Sequence, residues 1–352
     1  MPERNTPPQS ESGDPANCSW ATYSDERLLK MRMCNLGIRL QGTVLEPRIE
    51  RLYEELESRG IDFRPHCWVS DEWFSPDGIP GIAIPFYLLH PRLSRLEKKQ
   101  MLEVEGGTEE TCMRILRHEA GHTIDTAYRL SRRKRWQQLF GKRSAPYPKL
   151  YQPRPYSRSY VRHFDKWYAQ SHPAEDFAET FAVWLKPRSG WKQRYKGWPA
   201  LKKLQYVDDL MQEIGHSKPQ LSSRQQIDPI KTIRKTLGEH YSARRDYYGI
   251  EQNTFYDCEL LRLFSNAPRH RNKPSAAVFL QQNRAEFRRH IADWTGQYQY
   301  TVDEILREII QRCRELGLRV DKSPTKTRQE ALVMLTVQIM NCLKDGYHKV
   351  AL

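Results

Sequence analysis

The stretch Ile115-Leu116-Arg117-His118-Glu119-Ala120-Gly121-His122-Thr123-Ile124-Asp125 constrains this chain more than any other. At its centre lies an H-E-x-x-H pattern. On an α-helix, residues four apart share a face, so the imidazoles of His118 and His122 point the same way and can hold one metal ion. Glu119 follows the first of them and can reach a water bound to that metal. Two histidines and a carboxylate at this spacing suit zinc-assisted hydrolysis.

The flanks predict a helix over roughly 109–130. Gly106-Gly107-Thr108 supplies a stop and an N-cap. Glu109 and Glu110 fill the first turn, where carboxylates suit the helix dipole. Cys112, Met113, Leu116, Ala120, Ile124 and Ala127 recur at helical spacing as an apolar stripe. Gly121 weakens a helix interior, and its presence there predicts a neighbouring backbone at close range.

A catalytic zinc keeps three protein ligands and one open position. Candidates for the third are Glu175, Glu179, Asp125, His163 and His172. Glu175 and Glu179 lie in a second short helix, which His172 or Ser171 can cap and Pro173 can begin. It runs to about Leu185, with Phe177, Phe181 and Trp184 on another face. Glu175 is the chosen ligand, because that helix can cross the first. Glu179, one turn on, would steady an imidazole from behind. Asp125 shares the face of the two histidines, and from the same helix it is better placed to steady a neighbour than to ligate.

His118-Glu119-Ala120-Gly121-His122-Thr123-Ile124-Asp125 followed by Glu175-Asp176-Phe177-Ala178-Glu179 resembles the gluzincin zinc metallopeptidases. The nearer resemblances are to a bacterial zinc-binding metallopeptidase family and to the anthrax lethal factor catalytic domain. The residues Pro85-Phe86-Tyr87-Leu88-Leu89-His90-Pro91-Arg92-Leu93 and Gly106-Gly107-Thr108 also look like the bacterial family. The likeness covers roughly residues 30–210. It implies a zincin-like fold, zinc bound by His118, His122 and Glu175, and Glu119 as general base. It also implies that Tyr168, seven residues before Glu175, stabilises the transition state. The substrate does not carry over, because the basic segment 131–167 departs from the lethal factor pattern.

That segment is part of a wider excess: the chain carries a formal charge of +14. Between Arg129 and Lys166 stand twelve Lys or Arg residues and one acid, Asp165, interleaved with Tyr147, Tyr151, Tyr156 and Tyr160 and with four prolines. A loop this long tends to be functional. It predicts a preference for acidic peptides at the cleft, or stacking on nucleic acid. Three functions therefore compete: a zinc metallopeptidase acting on a peptide or protein, a zinc amidase acting on a non-protein amide, and a basic nucleic-acid-binding protein with a non-catalytic zinc. The metallopeptidase leads, because the metal pattern is the more specific signal and no nucleic-acid fold signature is present.

Seven separated cysteines, an odd number without a C-x-x-C pair, fit reduced thiols and a cytoplasmic setting. No apolar run approaches the roughly 18 residues of a membrane helix, and no signal peptide is expected at the N-terminus. The expected fold class is α+β and mostly helical. Residues 1–22 read as a disordered tail, 23–215 as the metallopeptidase domain with a small edge sheet, and 216–352 as an all-helical accessory domain. Helices are expected near 25–33, 46–59, 91–104, 275–294 and 327–345, and another behind a capping box at Thr301-Val302-Asp303-Glu304. Residues 36–40 read as a short strand or a turn. Residues 81–89 read as an edge strand, since Pro80 and Pro85 deny ladder hydrogen bonds, and its free edge could align an extended substrate.

Overall fold

A computed structural model describes residues 18–148, 154, 156–164, 167–248 and 257–344. Residues 1–17 of the expected tail lie outside that range, as do Tyr151, Pro153, Pro155 and Asp165 of the basic segment. The helices, in order, are α1 (Asp25–Leu29), α2 (Leu45–Glu57), α3 (Pro91–Met101), α4 (Glu109–Tyr128), α5 (Lys134–Phe140), α6 (Pro173–Leu185), α7 (Trp191–Arg194), α8 (Ala200–Ile214), α9 (Leu237–Tyr248), α10 (Asp257–Leu263), α11 (Ala276–Thr295), α12 (Gln299–Glu315) and α13 (Pro324–Lys344). Strands β1 (His66–Ser70) and β2 (Gly81–Pro85) form one parallel pair. The fold is mostly helical α+β, as expected. No helix among the described residues is long and apolar enough to cross a membrane.

Helix α4 is the axis of the larger core. Its start is set by Thr108, whose hydroxyl accepts the Thr111 N–H at 3.2 Å while the Thr111 hydroxyl accepts the Thr108 N–H at 3.1 Å. The predicted apolar stripe from Cys112 to Ala127 is buried throughout. On the side facing α2, Arg117 is buried too, and its guanidinium meets Glu55 at 2.6 and 2.7 Å. Gly121 faces α6: a Cβ there would stand 2.8 Å from Ala178 Cα. The expected close backbone is therefore α6. Helix α6 is apolar enough to be buried nearly all round, with Phe177, Phe181 and Trp184 in the core. Glu175 and Glu179 are buried with them.

Several expectations meet corrections. The basic segment is not all loop: α5 interrupts it and buries Trp136 and Phe140 against Phe177. Residues 18–22, assigned to the tail, include a 3-10 turn that buries Trp20. Residues 33–35 form another such turn, and 36–40, read as a short strand or a turn, hold no strand. Thr301 is no N-cap. Helix α12 begins at Gln299, and the Thr301 hydroxyl donates to Tyr248 O at 2.9 Å. Strand β2 is fully buried, and on the side away from β1 its Ala83 N–H donates to Phe74 O at 2.9 Å. Its edge at 82–84 is thus occupied by the segment around Phe74, which takes the place nearest the cleft.

Apolar side chains gather in two cores. The first reaches past residue 215 to take in Ile230, Leu237 and Tyr241. Backbone bonds from Leu221 to Ala127 and from Leu237 to Met31 hold that stretch to it. The second is built from α10 to α13, with Leu280, Phe287, Ile305, Ile309 and Leu335 at its centre.

Candidate metal centre

His118 and His122 sit one turn apart on α4, and Glu175 occupies the third position of α6, where a carboxylate suits the helix dipole. The three side chains converge. His118 Nε2 lies 3.0 Å from Glu175 Oε2, His122 Nε2 lies 3.2 Å from the same oxygen, and the two Nε2 atoms are 3.1 Å apart. Ligands at about 2.0–2.1 Å from a tetrahedral cation stand roughly 3.3 Å from one another. Three lone-pair atoms at that spacing, all buried or nearly so, fit a zinc ion. Among the described residues this is the one such cluster of three ligand atoms.

The electrostatics agree. Burial pulls the His122 imidazole down, but the Glu175 carboxylate more than offsets it and holds the ring up at about 9. Burial would raise Glu175, yet the two imidazoles keep it well below the usual carboxylate range.

Glu119 lies beside the triad in the same cleft, a cavity of about 430 Å³. Its Oε2 is buried without a protein partner. Tyr168 also lines the cleft, its ring 5.8 Å from that of His118. It follows Trp167, a non-glycine residue at φ 53, which turns the chain just ahead of it. Burial pushes the Tyr168 phenol well above its ordinary range.

The remaining candidates sit elsewhere. His163 Nε2 donates to Arg114 O at 2.9 Å. His172 caps α6, with Nδ1 accepting the Ala174 N–H at 3.1 Å. Asp125 steadies no imidazole by a hydrogen bond: Oδ1 accepts the Ser131 N–H at 2.7 Å and Oδ2 accepts Arg143 at 2.6 Å. From the last turn of α4 it reaches the chain leaving the helix instead. Glu179 makes no hydrogen bond to either imidazole. Its Oε1 accepts the Phe164 N–H at 3.1 Å, and the Phe164 ring packs 4.9 Å from that of His118.

Sequence reasoning passed over Tyr147 and Arg143 as site residues, although both stood in the singled-out basic segment. The Tyr147 hydroxyl donates to Glu175 Oε1 at 2.8 Å. Arg143 joins Asp125 to Asp77. Trp73, Phe74 and Tyr298 also line the cleft. Tyr298, just ahead of α12, carried no local signal.

No curated protein and no solved structure matches the chain. Residues 95–195, which carry both histidines, Glu119 and Glu175, match the family model described as "Putative zinc-binding metallo-peptidase". That description and the convergent triad agree: His118, His122 and Glu175 are the candidate ligands of a zinc site in a peptidase-like segment.

Proposed function

We propose that this chain is a zinc-dependent peptidase of the gluzincin type, with His118, His122 and Glu175 as ligands. The observation that carries the reading is the triangle of two Nε2 atoms and one carboxylate oxygen at 3.0–3.2 Å, with Glu119 beside it in an open cleft. Zinc bound there supplies Lewis acidity, acidifying water and polarising an amide carbonyl. The protein groups do the rest. Glu119, with Oε2 unengaged, takes the proton of the attacking water and passes it to the leaving amine. Tyr168 donates its phenolic hydrogen to the oxygen that gains charge, the role implied by its place seven residues before Glu175. Glu179 holds Phe164 against His118, and Asp125 holds the Arg143 segment in place.

The lining bears on the substrate. Trp73, Phe74, Ile115, Phe164 and Tyr298 give apolar and aromatic walls, while Asp77, Glu105, Glu119 and Glu175 bring carboxylates. Arg143 is paired with Asp77 and Asp125. These walls favour a peptide with a bulky apolar side chain near the scissile bond, in place of the acidic peptide that the loop charge suggested. With β2 engaged, an extended peptide would run along the 73–77 segment.

The test is Glu119→Gln, assayed for zinc content and for cleavage of a mixed peptide library. Zinc should be retained and cleavage lost, with wild-type cuts clustering beside apolar residues. Full activity in the variant would reject the mechanism.

A further inference from the structure

We propose that Tyr147 is a positioning residue that fixes Glu175 as a single-oxygen metal ligand; this rests on the zinc-site reading above. The two oxygens of Glu175 are divided between two tasks. Oε2 faces both imidazoles, at 3.0 and 3.2 Å. Oε1 accepts the Tyr147 hydroxyl at 2.8 Å. A carboxylate can swing to offer both oxygens to one cation. A phenol that occupies Oε1 removes that option and leaves a coordination position open for water and substrate.

The chain around Tyr147 is tied so that the phenol arrives at this place. His172 Nδ1 accepts the Ala174 N–H, which puts the ring proton on Nε2, and Nε2 donates to Ala145 O at 2.8 Å. The Tyr147 ring stacks on the same imidazole, with centroids 3.7 Å apart and planes 16° from parallel. One histidine thus caps the helix that carries Glu175 and seats the tyrosine that holds it. Arg143 ties the start of the segment to Asp125 on α4. The Tyr147 side chain remains half exposed, 53% by relative area, so the core does not depend on it.

The experiment compares wild type with Tyr147→Phe, which keeps the ring and its stacking and removes only the hydroxyl. Zinc affinity is read by competition with a chromogenic chelator, coordination by the visible spectrum of the Co2+-loaded protein, and folding by the urea midpoint. We expect zinc binding to weaken by about 10- to 100-fold, the range for losing a partner that orients a ligand. The Co2+ bands should lose intensity as a second carboxylate oxygen raises the coordination number, and the urea midpoint of the metal-free protein should stay unchanged. A variant that binds zinc within twofold of wild type with the same Co2+ spectrum overturns the proposal and leaves the zinc site standing. Turnover lost with affinity and spectrum unchanged also overturns it, because the phenol would then act on substrate. Wild type that takes up neither metal overturns the zinc-site reading itself.

Discussion

Gly121 sets the distance between the two helices that carry the ligands, so Gly121→Ala should damage metal binding more than folding. The added methyl would stand 2.8 Å from Ala178 Cα, 3.2 Å from its carbonyl oxygen and 3.3 Å from its Cβ. Non-bonded carbons prefer about 3.5–4.0 Å, so α4 and α6 must part or tilt by roughly 0.7 Å or more. Overpacking of this kind costs about 1–3 kcal/mol. Alanine recovers about 1 kcal/mol over glycine in a helix interior. The net loss of stability is then about 2 kcal/mol at most. The metal site is less tolerant. Gly121 directly precedes His122 and Ala178 lies three residues after Glu175, so the displacement falls between the histidine pair and the third ligand. A working site needs ligand distances within about 0.2 Å. Chelator competition should therefore show zinc affinity down by about tenfold or more, while urea unfolding shows a modest drop. Unchanged zinc affinity with a lowered urea midpoint would refute the reasoning, because the ligands would then not depend on the approach of α4 to α6.

Two further outcomes follow from buried charge. Burial holds the imidazoles of His163 and His240 down to about 3, well below the ordinary value near 6.5. Their folded-state values are depressed, so the stability they contribute is present above about pH 6.5 and is lost as pH falls toward 3; each adds up to about 1.4 kcal/mol per pH unit of slope. Urea midpoints measured between pH 8 and pH 4 should show this, and His240→Leu should flatten the slope by one proton's worth; an unaltered slope would contradict the assignment. Glu55→Ala should cost about 3–5 kcal/mol by leaving the buried Arg117 guanidinium unpaired. A urea-derived loss under about 1 kcal/mol would mean that Arg117 finds water or another partner.

The sequence was most informative where the physics is local. Helix α4 could be read because its cap, its first-turn acids and its apolar stripe are all neighbours in the chain. Gly121 was legible for a related reason: a glycine inside a helix needs a cause, and Ala178 is that cause. Glu175 followed from the need for a third ligand on a crossing helix. The failures are at long range. Pro80 and Pro85 suggested a free edge for β2, but Phe74 bridges it, a pairing that no periodicity predicts. Thr301 fits a capping box by pattern, yet Tyr248 O takes its hydroxyl and the helix starts earlier. Asp125 pointed along the histidine face, and the chain leaving α4 claimed both of its oxygens. Tyr147 reaches Glu175 across 28 residues of sequence. Its contribution depends on the path of the chain between α5 and α6, which composition alone does not encode.

The central claim is that His118, His122 and Glu175 together hold one zinc ion. Elemental analysis of the purified chain beside a Glu175→Ala variant tests it directly. About one zinc per chain is expected in the wild type, and its loss from the variant, with folding retained by circular dichroism. Equal zinc in both proteins would remove Glu175 from the ligand set, and no zinc in either after it is supplied would contradict the metal centre altogether.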